Sequence, residues 1–253
     1  MPVPPDPAPD APGAQPAATA RVRGDFDRIA ALPDDPCNHN LLYHGVLLAE
    51  LPARCGAALE IGCGTGAFTR RLAARAERVV AIDLAPRMVE AARARCGGLA
   101  NVALHVADAT AWEIGSGRWD AIASIATLHH LPAAETLARL RDGLRPGGVL
   151  LVLDLVADDG PWDRLRSAAA LPANAALRLA RTGRLRMPPA ARRLWEEHGR
   201  HDVYPTLPEV RALAGDLLPG ARVRRHLFWR YSLVWRKPGG AGATLGAPRA
   251  EEP

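Results

Sequence analysis

Ala57-Ala58-Leu59-Glu60-Ile61-Gly62-Cys63-Gly64-Thr65-Gly66-Ala67-Phe68-Thr69 decides the fold of this chain. The apolar run Ala57–Ile61 reads as a buried parallel strand. Glycines at alternate positions break it, and a helical pattern starts directly behind them. Glycine at 62, 64 and 66 lets the backbone turn tightly and keeps Cβ atoms out of the path of a bound ligand. The helix offers unpaired N–H groups and a positive dipole end to whatever lies above the strand. The pattern predicts a nucleotide-type site.

Outward from this stretch, strands and helices alternate. Strands are expected at 78–83, 102–106, 120–125 and 149–155, with helices at 68–76, 87–96 and 133–144 between them. Pro86 falls at a helix start, and Arg145-Pro146-Gly147-Gly148 is a turn. Five strands with helical crossovers predict a doubly wound, Rossmann-like α/β sheet with its ligand at the carboxyl ends of the strands. A helix over 207–217 and two strands over 222–228 and 231–236 follow. Upstream, a helix is expected over 39–51, with Asn38 as N-cap and Pro52 as its stop. Residues 1–22 hold little to bury and read as a disordered tail, 23–237 as one domain, and 238–253 as a flexible tail. Within the domain, 158–202 is rich in Ala, Leu and Arg with four prolines, and reads as a helical insertion, either a lid over substrate or a decoration without contact to it.

The 253 residues, 48% of them hydrophobic, suffice for a full core. Lys237 is the only lysine, so arginine is the default surface cation here. The pI of about 9.5 therefore argues little for nucleic acid. Cys37, Cys55, Cys63 and Cys96 form no CxxC pair, as befits a reducing compartment. No apolar run approaches the roughly 18 residues of a membrane span, and no signal-peptide pattern opens the chain. A cytoplasmic protein is expected, with neither nucleic acid nor membrane as partner.

Gly62-x-Gly64-x-x-Ala67 also satisfies the dinucleotide fingerprint, with Asp83 about twenty residues on. Four segments in order decide against a nicotinamide cofactor. They are Glu60-Ile61-Gly62-Cys63-Gly64-Thr65-Gly66, then Val79–Met88 with Asp83, then Ala107-Asp108-Ala109, then Leu144–Leu150. Together they resemble the class I S-adenosylmethionine-dependent methyltransferases, and a dehydrogenase has no reason to supply the last two. The resemblance is to the subgroup acting on small molecules, including quinone-biosynthesis and natural-product enzymes. It implies a mostly parallel seven-stranded sheet with an antiparallel last strand. It also implies S-adenosyl-L-methionine as cofactor, held by Glu60, Gly62, Cys63, Gly64, Gly66, Asp83, Leu84, Met88, Asp108, Ala109 and Ile125. In that family the acid matched by Asp83 receives both ribose hydroxyls, and the acid matched by Asp108 accepts from the adenine amino group.

Methyl transfer from a sulfonium is an in-line displacement, so alignment and exclusion of water are the protein's main tasks. His129 and His130 directly follow the fourth strand, and Asp154 ends the fifth. In small-molecule O-methyltransferases resembling this chain, a histidine there takes the acceptor's proton and an acid fixes its tautomer. The other reading is that the histidines only cap the next helix. Tyr43 and His44 are second candidates, whose alternative is packing against the sheet. Cys63 reads as a small packing residue in the loop rather than a nucleophile. His198, His201 and Asp202 lack a third ligand at fixed spacing, so no metal is expected. Arg222, Arg224 and Arg225 read as a solvated face.

Overall fold

The computed structural model describes residues 17–239. Seven strands form one sheet: β1 (Cys55–Ile61), β2 (Ala76–Asp83), β3 (Val102–Val106), β4 (Trp119–Ile125), β5 (Leu144–Leu155), β6 (Arg222–His226) and β7 (Arg230–Arg236). Their order is β3-β2-β1-β4-β5-β7-β6, parallel through β5, with β7 antiparallel to both β5 and β6. The chain reverses strand order between β1 and β4, which opens a crevice at the carboxyl ends of those two strands. The helices are α1 (Ala17–Ile29), α2 (His44–Leu48), α3 (Ala67–Ala73), α4 (Pro86–Arg95), α5 (Ala133–Gly143), α6 (Pro161–Thr182), α7 (Pro189–Gly199) and α8 (Leu207–Leu217). Among the described residues no helix is long and apolar enough to cross a membrane.

Both faces of the sheet are buried. Leu59, Ile61, Ile122 and Val152 pack with Leu137 and Leu140 of α5 and Val210 and Ala214 of α8. On the other face Ala58, Val79, Leu151 and Leu153 meet Leu47 of α2 and Phe68 and Leu72 of α3. This two-sided burial explains why the central strands read as unbroken apolar runs.

Three expectations need correction. α1 begins at Ala17, inside the stretch expected to be disordered, because Phe26 and Ile29 dock on Ala85 and Met88. The expected tails at 1–16 and 240–253 lie outside the described residues. The helix expected over 39–51 is a 3-10 turn at His39–Leu42 followed by the short α2. Asn38 does cap it, its side chain accepting from the Asn40 N–H at 3.0 Å. β5 starts earlier than read: Leu144 pairs with Trp119 before the Arg145–Gly148 turn bulges out and pairing resumes at Val149–Ala121.

Candidate functional site

The three loop glycines differ in what they do. Gly62 (φ +70°) presses on Thr127, and a Cβ there would meet the threonine Oγ1 at 2.0 Å. Gly66 (φ +77°) starts α3 against Ala92, a Cβ-to-atom distance of 3.0 Å. Only Gly64 (φ +52°) faces open space, with nothing within 4 Å of its missing Cβ. Of the three, it alone clears a path for a ligand. The others let the loop close on its own scaffold.

Asp83, half-buried at the end of β2, accepts from the Gly64 N–H at 2.8 Å and the Ala85 N–H at 3.0 Å. Each carboxylate oxygen keeps a further lone pair. Burial raises its pKa, against the pull of those N–H donors. Glu60 is fully buried and accepts from the Thr69 hydroxyl of α3 at 2.6 Å. Burial pushes its pKa up to about 8. It braces the loop from below.

Asp108, beyond β3, uses one oxygen to accept from the Thr110 N–H and hydroxyl, at 2.8 and 2.7 Å. It is thus a turn acid with its second oxygen unclaimed among the described residues. The Ala109 N–H has no acceptor among the described residues, while its carbonyl is fixed by Arg139 at 2.8 Å. Leu84 and Ile125 are partly buried at the strand ends. Two residues of the expected set have packed side chains. Met88 is buried against Ile29 of α1 and Ala85, inside a small core. Cys63 packs on Ala81 and Ala92, as its reading as a small packing residue expects, and its N–H donates to the Ile82 carbonyl at 3.0 Å. Burial holds the thiol well above its ordinary pKa.

At the end of β4, Ala126 takes φ +51°, a left-handed turn uncommon outside glycine. It swings Thr127 onto Gly62 and leads into the 3-10 turn Leu128–His130. Asp154 of β5, 1% exposed, grips His129 twice. It accepts from the His129 N–H at 2.9 Å and lies 2.6 Å from Nδ1. That contact fixes the tautomer with hydrogen on Nδ1 and a lone pair on Nε2. His130 behaves differently. Burial, then the neighbouring His129, lowers its pKa to about 4, and its Nε2 is buried without a partner. Its Nδ1 sits 3.7 Å from Asp202. His44 is buried edge-on to Phe68, also lowered to about 4 by burial, so packing accounts for it. Tyr43 donates to the Leu227 carbonyl at 2.6 Å.

The insertion reaches this site. Asp202 accepts from the Tyr204 hydroxyl at 2.9 Å and lies 3.5 Å from His198, whose other nitrogen is 3.2 Å from Asp25 of α1. Tyr204 stands edge-on to His129 and Phe26 edge-on to His130, with ring centroids 5.2 and 5.6 Å apart. Donor atoms of His129, His130 and Asp202 fall within 4.8 Å of one another, a grouping the sequence did not reveal. α6 is tied down by Arg178–Asp35 at 3.0 Å and Trp229–Ser167 at 2.8 Å. Arg225 is not the solvated residue expected: its side chain is 6% exposed and bridges Asp158 and Asp163.

Comparisons with known proteins agree with this fold. A family model described as a methyltransferase domain matches residues 58–148. An uncharacterized methyltransferase of Mycobacterium tuberculosis is 32% identical over 212 residues, spanning 81% of this chain and 99% of that protein. A trans-aconitate 2-methyltransferase of Methylobacterium radiotolerans is 38% identical over 133 residues, 46% of this chain and 50% of that protein. Among solved structures, the N-methyltransferase NodS of Bradyrhizobium japonicum, in complex with S-adenosylhomocysteine, shares the fold. Its TM-score is 0.59 at 19% identity, over 86% of this chain and 98% of that one.

Proposed function

The chain belongs to the class I S-adenosylmethionine-dependent methyltransferases, and from that premise we propose that it methylates an oxygen of a small-molecule acceptor, with His129 taking the acceptor's proton. The observation that carries the reading is the His129–Asp154 pair, set at the carboxyl ends of β4 and β5 beside the glycine loop.

The residues present fit the cofactor. Gly64 leaves open space over the loop, Asp83 keeps a free lone pair on each oxygen for ribose hydroxyls, and Asp108 and Ala109 retain an acceptor and a donor for adenine. When bound, S-adenosylmethionine supplies a methyl group already activated on a sulfonium. The protein's own contribution is placement and proton handling. Asp154 stabilises the imidazolium that forms as His129 Nε2 accepts the hydroxyl proton. His130, held neutral, adds no competing charge beside it. Segment 158–202, through Asp202, and Tyr204 just beyond it would roof the acceptor and exclude water. The trans-aconitate enzyme among the relatives carries a small-molecule acceptor in its name, which favours that class here.

The test is S-adenosylhomocysteine production against a metabolite panel, followed by His129→Ala on the best acceptor. The expected result is a fall in kcat of about 10²–10⁴-fold with cofactor affinity unchanged. Unchanged turnover would remove the base and leave the histidines as a cap.

A further inference from the structure

The β6–β7 hairpin ends in two aromatic residues at positive φ, Phe228 (60°) and Trp229 (56°). Bulky side chains rarely adopt that conformation, and such strain gathers where geometry is held for a purpose. The tip is clamped: Phe228 stacks on His39 with centroids 4.2 Å apart, Tyr43 donates to the Leu227 carbonyl, and the Trp229 indole donates to Ser167. What the clamp holds is Arg230. Its Nε donates to Asn40 Oδ1 at 2.7 Å, and its Nη1 to the Phe228 carbonyl at 3.1 Å. Arg230 pairs in register with Leu155, so it stands at the carboxyl end of β5, next to Asp154.

Arg230 is the partly buried guanidinium of this region, and among the described residues no carboxylate lies within ion-pair distance of it. Asp154 is near enough to influence it, but its carboxylate is engaged by the His129 N–H, His129 Nδ1 and the Leu155 N–H rather than by Arg230. Two of its five N–H groups are used, and among the described residues Nη2 has no acceptor. This end of the guanidinium is unpaired yet not sealed off, and so is open to an anion that would supply the missing counterion. The phenols of Tyr43 and Tyr204 act on the same charge, but their hydroxyls are already given to the Leu227 carbonyl and to Asp202, so Arg230 is the donor left for an anion.

We propose that Arg230 is the anion-binding residue of the acceptor site, receiving a carboxylate or phosphate group of the methyl acceptor. The proposal rests on the methyl-transfer reading above and narrows its substrate to small acids. The planar fork of an arginine matches either oxyanion bidentately, which a lysine cannot do.

Thermal shift of the S-adenosylhomocysteine-loaded protein with malonate, and separately with inorganic phosphate, tests binding without any turnover. Wild type is expected to be stabilised by at least one of the two; the stronger identifies the group. Arg230→Lys, which keeps the positive charge, is expected to lose at least ten-fold in affinity for that anion. Arg224→Ala, an exposed change on the same hairpin, is the control and should retain it. In turnover, Arg230→Lys should raise KM for an acidic acceptor far more than it lowers kcat, and should cease to discriminate against the uncharged amide. If Arg230→Lys unfolds, Asn40→Ala, which frees Nε, takes its place with the same KM readout. Equal anion affinity in wild type and Arg230→Lys, or no stabilisation by either anion, overturns the proposal. Failure of the methyl-transfer reading would show separately, as wild type that does not bind S-adenosylhomocysteine.

Discussion

Asp83 carries two tasks in one carboxylate. It closes the glycine loop through the Gly64 N–H and faces the ribose position with its remaining lone pairs. Asp83→Asn keeps the size but offers one acceptor oxygen instead of two. A lost charge-assisted hydrogen bond is worth about 1.5–3 kcal/mol, so affinity for S-adenosylhomocysteine should fall roughly ten- to hundred-fold in calorimetry. An unchanged affinity would relegate Asp83 to loop closure. This residue was legible in the sequence because strand, glycines and acid follow one another at a fixed spacing. Asp202, Tyr204 and Arg230 were not. They reach the histidines from segments far along the chain, and no local pattern encodes a contact made only by the tertiary fold. Met88 and Cys63 sit in the same motif, and their side chains are packed on α1 and on Ala81 and Ala92.

At the scale of elements, the glycine loop separates folding from binding. Gly62→Ala forces both a left-handed alanine and a clash with Thr127 at 2.0 Å, with Thr127 itself fixed by the strained Ala126. A loss of more than about 2 kcal/mol is expected in urea unfolding. Gly64→Ala meets open space, so its cost is the backbone term alone, about 1 kcal/mol. Its main effect should be weaker cofactor binding. If the two variants lose the same stability, the division of labour between them is wrong. The strands and α3, α4, α5 and α8 were readable because hydrophobic period and caps agree. Thr206 and Glu209 even form a capping box at the start of α8. The insertion was read only as helical, since its attachments are isolated polar contacts such as Arg178–Asp35 and Arg225–Asp163, with no period to detect.

For the whole molecule, the buried titratable groups pull stability in opposite directions with pH. His44 and His130 have folded pKa values near 4 against an ordinary 6.5, both lowered first by burial. Between those values the unfolded chain binds protons the folded one does not, so stability rises with pH up to 6.5. Glu60 runs the other way. Its folded pKa of about 8 against 4.5 means the folded chain holds a proton the unfolded one has lost, and stability falls with rising pH across that interval. From 4.5 to 6.5 the two histidines, joined by His39 and His226, which burial also lowers, outweigh Glu60 and the raised Asp83; from 6.5 to 8 Glu60 sets the slope. Stability of the unliganded protein should therefore peak near pH 6.5. Glu60→Gln replaces the ionising group with a neutral isostere that still accepts from Thr69. It should flatten the alkaline limb and leave the acid limb intact. The double change His44→Gln with His130→Gln should do the reverse, reducing the acid limb to what His39 and His226, also lowered by burial, still supply. Urea midpoints at half-unit pH steps read both. An alkaline limb that persists undiminished in Glu60→Gln would mean that the carboxyl beneath the glycine loop is ionised in the folded protein.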